Sequence, residues 1–259
     1  MDKNPQVLQK NGETLDELFC GRLKILQKTF GYRFSIDALL LAYFCRLQEG
    51  ERVLDLGTGS AVIPLLLVRR WEGVQLVGID IQEEFVDMAR RSIALNGLSD
   101  RIEIRLGDVG DIRAHFEERS FAAVILNPPY RRLDSGRINR DNQKALARHE
   151  LRGALADFLA AAAYVLKKGG RCYVIYPARR AVELLFRMRK HRLEPKRLRV
   201  VHSRANSEGQ FVLLEGIKDG GEELAVLPPL FIYEAEGGYT PEMEDLFRDI
   251  SASSRTASG

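Results

Sequence analysis

Between residues 52 and 191 the chain alternates short apolar runs with amphipathic stretches, and this alternation restricts the fold more than any other feature of the sequence. The predicted strands are Arg52–Leu56, Gln75–Ile79, Ile102–Leu106, Ala122–Leu126 and Cys172–Tyr176, and the predicted helices are Ile63–Arg70, Glu83–Asn96, Ala154–Leu166 and Ala181–His191. Because helices between successive strands produce a parallel sheet, the sequence predicts an α/β protein with a doubly wound sheet.

The alternation stops after His191. Two further strands, Leu198–His202 and Gln210–Ile217, follow with no helix between them. Strands joined in this way pair as antiparallel neighbours. We therefore expect a seven-stranded, mostly parallel sheet in which the last strand is antiparallel. One more short strand is expected at Leu230–Tyr233.

The two ends of the chain are predicted to lie outside the α/β domain. Residues 1–34 form a short N-terminal extension that contains one strand-like stretch, Leu18–Gln27. Residues 35–240 form the α/β domain. Residues 241–259 end in a run rich in serine and glycine and are expected to be a partly disordered tail.

The composition fits one soluble, cytoplasmic domain. With 259 residues, 45% of them hydrophobic, the chain can bury one sizeable core. A net charge of +3 neither requires nor excludes a nucleic-acid partner. The three cysteines are isolated and the four histidines are scattered, so we expect buried thiols and no metal site. The sequence shows neither a leader-like start nor an apolar run long enough to cross a membrane.

A buried strand runs directly into the glycine turn Gly57-Thr58-Gly59, and an acid, Asp55, lies two residues before it. Glycines there let the backbone approach a ligand at the carboxyl ends of the strands. Asp80 ends the second strand, where a carboxylate can accept hydrogen bonds from both hydroxyls of a ribose. A dinucleotide site would need a third glycine where Val62 stands, so NAD is disfavoured.

These residues resemble motif I and the ribose-binding acid of the class I S-adenosylmethionine methyltransferases. That family often has a further glycine where this chain has Ala61, which is a small departure. Gly107-Asp108, after the third strand, matches the position whose acid faces the adenine of the cofactor. The resemblance implies a Rossmann-like class I fold and S-adenosylmethionine as the cofactor.

The run Asn127-Pro128-Pro129-Tyr130 follows directly on an apolar strand. An amine conjugated to a ring or a carbonyl has a delocalised lone pair, so an enzyme that methylates it must hold and align the nitrogen. The side-chain oxygen of Asn127 and the carbonyl oxygen of Pro128 can each accept one N–H bond, and Tyr130 offers a flat face for a base. The run resembles motif IV of the amino-group methyltransferases, which act on adenine, on cytosine or on glutamine amide.

Two groups of basic residues favour a nucleic-acid substrate. The first, which we call the basic lip, comprises Arg131, Arg132, Arg137, Arg140, Lys144, Arg148 and Arg152. The second, which we call the distal basic group, comprises Arg179, Arg180, Arg187, Arg189, Lys190, Arg192, Lys196, Arg197, Arg199 and Arg204. Few acids lie within either stretch, so both are expected to be electropositive, although a solvated helix face would also explain the second.

Five runs narrow the resemblance. They are Gly31–Asp37, Asn127–Tyr130, Ala147–Glu150, Leu193–Arg197 and Leu227–Leu230. Over residues 15–240 the sequence is similar to the bacterial tRNA(Val) adenine-N(6)-methyltransferase family, which methylates adenosine 37 beside the anticodon. The resemblance implies tRNA as the partner of the chain.

The motifs and the resemblance together predict three sets of site residues and no metal. The catalytic set is Asn127, Pro128 and Tyr130. The cofactor set is Asp37, Asp55, Gly57, Gly59, Asp80, Ile81, Asp108 and Asn127, with Tyr32 and Arg33 at its border. The substrate set is Tyr130, Arg131, Arg132, Arg148 and His149. Helix capping alone would also explain Asp37, and a buried structural role would also explain His149.

Three alternatives stay open at this point. A glutamine N(5)-methyltransferase of release factors shares the Asn-Pro-Pro-Tyr run, but it carries a longer helical domain before its cofactor motif than the roughly fifty residues that precede Asp55 here. A DNA adenine methyltransferase is a second alternative, although no added target-recognition domain is visible. A non-catalytic RNA-binding module on the same scaffold would require a damaged cofactor site.

Overall fold

The computed structural model describes residues 9–18, 22–30, 35–128 and 155–252. The strands are β1 (Glu13–Leu18), β2 (Leu23–Lys28), β3 (Arg52–Leu56), β4 (Gln75–Asp80), β5 (Ile102–Leu106), β6 (Phe121–Leu126), β7 (Leu166–Pro177), β8 (Leu193–His202), β9 (Gly209–Lys218), β10 (Ala225–Val226) and β11 (Leu230–Phe231). The helices are α1 (Ile36–Phe44), α2 (Val62–Arg70), α3 (Glu83–Leu95), α4 (Ile112–His115), α5 (residues 155–165), α6 (Ala181–Lys190) and α7 (Pro241–Ala252).

Seven strands form the body of the main sheet in the spatial order β8-β9-β7-β6-β3-β4-β5. The neighbours from β7 to β5 are parallel, whereas β9 runs antiparallel to both β7 and β8. The predicted α/β fold, with a mostly parallel sheet and an antiparallel last strand, is confirmed. The two-residue strands β10 and β11 add to the outer side of β8, so the described sheet has nine strands in all.

Side chains of the sheet alternate between two buried layers. In β3, Val53 faces the layer formed with α1, α2, α3 and α7, and Leu54 faces the layer formed with α4, α5 and α6. Both side chains are fully buried. With helices on both faces, the carboxyl ends of the parallel strands are left free at one edge of the sheet, and this edge is where ligands bind in folds of this kind.

The N-terminal extension differs from its prediction. In place of a single strand at Leu18–Gln27, β1 and β2 pair as antiparallel strands in a separate two-stranded sheet. The unpaired edge of β2 lies on α3: the Leu26 N–H donates to Ser92 Oγ at 3.0 Å and the Lys24 N–H donates to Asn96 Oδ1 at 3.1 Å. Because β2 also buries apolar side chains in the core, the pair of strands is part of the fold.

The C-terminal segment also differs from its prediction. The interval 241–259, expected to be a partly disordered tail, begins with α7. Met243 and Leu246 of this helix are fully buried in the layer that contains α2. The remaining residues, 253–259, lie outside the described part of the chain.

Two of the three cysteines, Cys45 and Cys172, are buried in the core, and burial raises the pKa of both thiols. Cys20 lies outside the described residues. Among the helices that the structure describes, none is long and apolar enough to cross a membrane.

Candidate active site

Three residues with positive φ shape the turn between β3 and α2. Gly57 and Gly59 have φ values of +73° and +53°, and Ala61 has a φ of +62°. Glycine adopts this left-handed region freely, whereas a residue with a Cβ atom is strained there by about 1–2 kcal/mol. A Cβ atom at Gly57 would also lie 3.1 Å from the Phe158 ring. A side chain at Gly57 would therefore be strained and would crowd Phe158, whereas Ala61 adopts the backbone conformation of a glycine despite its Cβ atom.

Asp80 ends β4 and lies against this turn. Its Oδ2 accepts the Gly59 N–H at 2.9 Å, and its Oδ1 accepts the Gln82 N–H at 2.9 Å. Burial raises the pKa of the carboxyl, and the backbone N–H groups of Gln82, Gly59 and Ile81 oppose that shift. A carboxylate has about four acceptor positions. Asp80 therefore fixes the turn and keeps acceptor capacity for a hydroxyl group of a ligand.

Asp55 lies within β3, beneath the turn, and is only 1% exposed. Burial raises its pKa to about 7; the Thr58 side chain lowers the pKa and the Asp80 carboxylate raises it further. No hydrogen-bond partner for its Oδ2 is found in the described part of the chain. Asp55 is not on the wall of the cavity, so direct contact with a cofactor stays a prediction.

A cavity of about 260 Å³ opens at the carboxyl ends of β3, β4 and β6. Its wall includes Gly57, Gly59, Asp80, Ile81, Asp108 and Asn127, which are six of the eight predicted cofactor residues. The wall also includes residues that no sequence motif marked as functional, among them Ala38, Phe85, Val109 and Phe158. The cavity is therefore mostly apolar, with a few polar groups at defined points.

Ile81 and Asp108 provide an apolar surface and a polar group on this wall. Ile81 is 60% exposed although it is a large apolar side chain, so it offers a surface on which a flat ring can lie. Asp108 precedes a short turn, where its Oδ1 accepts the Gly110 N–H at 2.8 Å. Its other oxygen can accept a hydrogen bond from an amino group.

Asn127 and Pro128 follow β6, which is hydrogen-bonded to β3 on one side and to β7 on the other. Asn127 is half-buried on the cavity wall, and Pro128 is buried beside it. The two proposed acceptors for an amine therefore belong to a residue on the wall of the cofactor cavity, Asn127, and to its neighbour Pro128. The other predicted catalytic and substrate residues, Tyr130, Arg131, Arg132, Arg148 and His149, lie outside the described residues, as do Tyr32 and Arg33.

Comparison with known proteins identifies the family. Residues 47–217 match a family model described as a methyltransferase domain. A relative from Porphyromonas gingivalis, named tRNA1(Val) (adenine(37)-N6)-methyltransferase, is 30% identical over 229 residues, which cover 85% of this chain and 89% of that protein. The chain belongs to this family of methyltransferases. A relative of the same name from Aeromonas salmonicida is 29% identical over 209 residues, which cover 80% of this chain and 85% of the relative.

Solved structures show the same fold. A predicted O-methyltransferase from Agrobacterium tumefaciens has a TM-score of 0.69 and 24% identity. The match covers 83% of the present chain and 97% of the Agrobacterium chain. TrmN from Thermus thermophilus has a TM-score of 0.52 and 22% identity. The match covers 70% of the present chain and 48% of the TrmN chain. At these identities the likeness establishes the α/β architecture.

S-adenosylmethionine is the methyl donor of the methyltransferase, and the cavity has the groups needed to hold it. Asp80 would accept hydrogen bonds from the ribose hydroxyls, and the Gly57–Gly59 turn would let the ligand approach the backbone closely. Ile81 and Val109 would provide apolar surface for the adenine ring, beside the polar Asp108. When bound, the cofactor supplies a methyl group attached to a positively charged sulfur.

Asp37 is near the cavity but does not form its wall. The Ala38 N–H and the Ser35 hydroxyl both donate to Asp37 Oδ1, and Ala38 is the residue of this turn that reaches the cavity. Ser35 has the backbone conformation of an N-cap but its side chain makes no capping bond. The carboxylate therefore caps α1 in the described structure, and its contact with the cofactor stays a prediction.

Most of the distal basic group is neutralised by ion pairs. The sequence places few acids within residues 179–204, but the fold brings acids from elsewhere. The pairs are Arg180 and Arg187 with Glu183, Arg189 with Glu194 and Glu222, Arg192 with Asp219, Arg197 with Glu215, and Arg199 with Glu242. The expected electropositive surface is thereby reduced to a few exposed side chains.

Proposed function

We propose that this methyltransferase transfers a methyl group from S-adenosylmethionine to the exocyclic amine of an adenosine in tRNA, and that the target is adenosine 37 of tRNA1(Val). The position of Asn127 supports the proposal most directly, because this residue lies on the wall of the same cavity as Asp80 and the glycine turn. The P. gingivalis and A. salmonicida relatives carry the name of this reaction.

The chain's own residues orient the amine. The Asn127 side-chain oxygen accepts one N–H of the adenine amine, and the Pro128 carbonyl oxygen accepts the other. With both hydrogens held, the nitrogen lone pair is directed out of the ring plane toward the cavity. The nitrogen carries a surplus proton after methylation and releases it to water, so no side-chain base is assigned.

The remaining substrate contacts are part of the proposal. Tyr130 stacks on the adenine once the base has been turned out of the anticodon loop, a contact worth about 1–3 kcal/mol in comparable sites. The basic lip, including Arg131, Arg132 and Arg148, contacts phosphates, and His149 lies on the substrate side. A tRNA substrate also implies a cytoplasmic location, which stays a prediction.

The reaction is tested with transcripts of tRNA1(Val) that differ only at position 37. With labelled S-adenosylmethionine, we expect N(6)-methyladenosine in the transcript with adenosine 37 and none in the transcript with guanosine 37. Equal label in both transcripts would contradict the choice of position. Label in DNA, or in a release factor, with none in tRNA would contradict the substrate class and support one of the alternatives left open by the sequence.

A further inference from the structure

Two large apolar side chains are exposed on one face of α6. Val182 is 81% exposed and Phe186 is 69% exposed, although the opposite face of the helix buries Leu184 and Met188. Val182 and Phe186 are four residues apart, so they lie one above the other on the helix surface. An exposed aromatic of this size, next to another apolar residue, indicates a surface that contacts a partner.

Cations lie at both ends of this pair. Lys190 follows Phe186 by four residues on the same face of α6, and Arg179 lies in the short turn that leads into α6, three residues before Val182; we call these four residues the α6 row. Arg179 has one weak pair, with Glu208 at 3.5 Å, and both side chains are about 85% exposed. Lys190 is exposed, and no ion pair involving it is found in the described residues. The row therefore keeps most of its positive charge, unlike the six arginines of the distal basic group that form the ion pairs given above.

The α6 row begins at the edge of the sheet that carries the active site. β7 pairs with β6, and Val174 lies opposite Leu126, the residue before Asn127. The chain leaves β7 after Pro177, at the same edge as Asn127, and Arg179 follows in the next turn. From Val182 to Lys190 the row then descends along α6 for about 12 Å, at a rise of about 1.5 Å per residue.

We propose that the α6 row is a docking surface for the tRNA substrate, with an unpaired base or a ribose on Phe186 and phosphates at Arg179 and Lys190. This inference rests on the proposed function. Two apolar side chains bury far less than the roughly 800 Å² per partner of a stable protein interface, so a second copy of the chain is a poor occupant. Aromatic and basic side chains in alternation suit a nucleic-acid strand, whose backbone is anionic and whose bases stack.

Two variants of the row and two matched controls test the proposal. Phe186→Ser removes the stacking surface, and Val226→Ser removes an equally exposed apolar side chain from β10. The double variant Arg179→Gln and Lys190→Gln removes the two cations, and Arg119→Gln removes an exposed cation just before β6, at the amino ends of the strands. All are assayed with full-length tRNA after the wild-type protein has been shown to form N(6)-methyladenosine, so that failure of the function is seen first.

We expect Phe186→Ser to raise the KM for tRNA on the order of tenfold, with kcat and the Kd for S-adenosylmethionine unchanged. The double variant should weaken tRNA binding and lower the slope of log Kd against log salt by about 1 to 2. Val226→Ser and Arg119→Gln should change neither quantity.

Three results would overturn the proposal. The first is an unchanged KM and Kd for tRNA in Phe186→Ser. The second is a fall of several degrees in the thermal midpoint of Phe186→Ser, which would show that Phe186 packs within the protein. The third is a wild-type dimer that Phe186→Ser dissociates, which would show that Phe186 packs against a second copy.

Discussion

At the scale of single residues, the Asp80 carboxylate both fixes the glycine turn and retains acceptors for a ribose. Asp80→Asn replaces two acceptor oxygens with one oxygen and an amino donor, so it loses a charge-assisted hydrogen bond worth about 1.5–3 kcal/mol. We expect the Kd for S-adenosylmethionine to rise by about ten- to a hundredfold, measured by calorimetry. Glu103→Gln, which breaks an exposed pair with Arg105 on β5, is the control. Unchanged affinity in Asp80→Asn would remove Asp80 from the cofactor site.

Asp55 predicts a pH dependence of stability. Its pKa is raised to about 7 by burial, whereas an aspartate in an unfolded chain titrates near 3.9. Between these values the folded protein binds a proton that the unfolded chain has released, so this contribution to the free energy of unfolding is lost as the pH rises through 7. Asp55→Asn lacks the effect. We therefore measure the free energy of unfolding by urea denaturation and subtract the wild-type value from that of Asp55→Asn. This difference should increase by a few kcal/mol at most between pH 5 and pH 8, as the size of the pKa shift sets. A difference that does not change with pH would contradict the raised pKa.

At the scale of secondary-structure elements, ion pairs hold the β1–β2 pair on α3. The Arg91 guanidinium donates to both oxygens of Glu13 at 2.7 and 2.6 Å, and both side chains are nearly buried. Glu13→Gln should lower the free energy of unfolding by about 1–3 kcal/mol at neutral pH. Arg91 lowers the pKa of Glu13, so this contribution should disappear as the pH falls through that lowered value. Lys10→Gln, which removes an exposed pair with Asp87, should change stability by less than about 0.5 kcal/mol.

Helix α7 supplies a second prediction at this scale. A chain that ends at residue 240 loses the fully buried Met243 and Leu246, each worth about 1.5–3 kcal/mol of apolar burial. It also leaves Arg199 without Glu242. We expect a lower free energy of unfolding by about 3–5 kcal/mol, while a chain that ends at Ala252 and keeps the helix serves as the control. Equal urea midpoints for the chain ending at residue 240 and the full chain would show that α7 does not stabilise the fold.

The sequence predicted the central elements and missed the peripheral ones for a physical reason. Strands such as β3 and β6 are buried on both faces, so their apolar runs are visible without any knowledge of the fold. β1 is polar, and it is held by its pairing with β2 and by Arg91, a partner 78 residues away from Glu13. α7 has apolar residues with helical spacing, but the serine-rich run after it favoured the prediction of a tail for the whole segment.

At the scale of the whole molecule, the candidate site could be predicted only where it is built from contiguous motifs. Gly57, Asp80 and Asn127 end neighbouring strands, so their meeting at one cavity follows from the order of the sheet. Phe85 and Phe158 reach the same cavity from α3 and α5 and carry no local signal. The neutralisation of the distal basic group could not be foreseen either, because acids such as Glu215 and Glu242 lie far away in sequence.

The measurement that tests the central claim most directly compares wild-type protein with Asn127→Ala in methyl transfer from labelled S-adenosylmethionine to tRNA, followed by nuclease digestion and identification of the modified nucleoside. We predict N(6)-methyladenosine with the wild type and a loss of at least about a hundredfold in turnover with Asn127→Ala at saturating tRNA and saturating S-adenosylmethionine. Near-normal turnover by Asn127→Ala would contradict the proposed role of Asn127 in holding the amine.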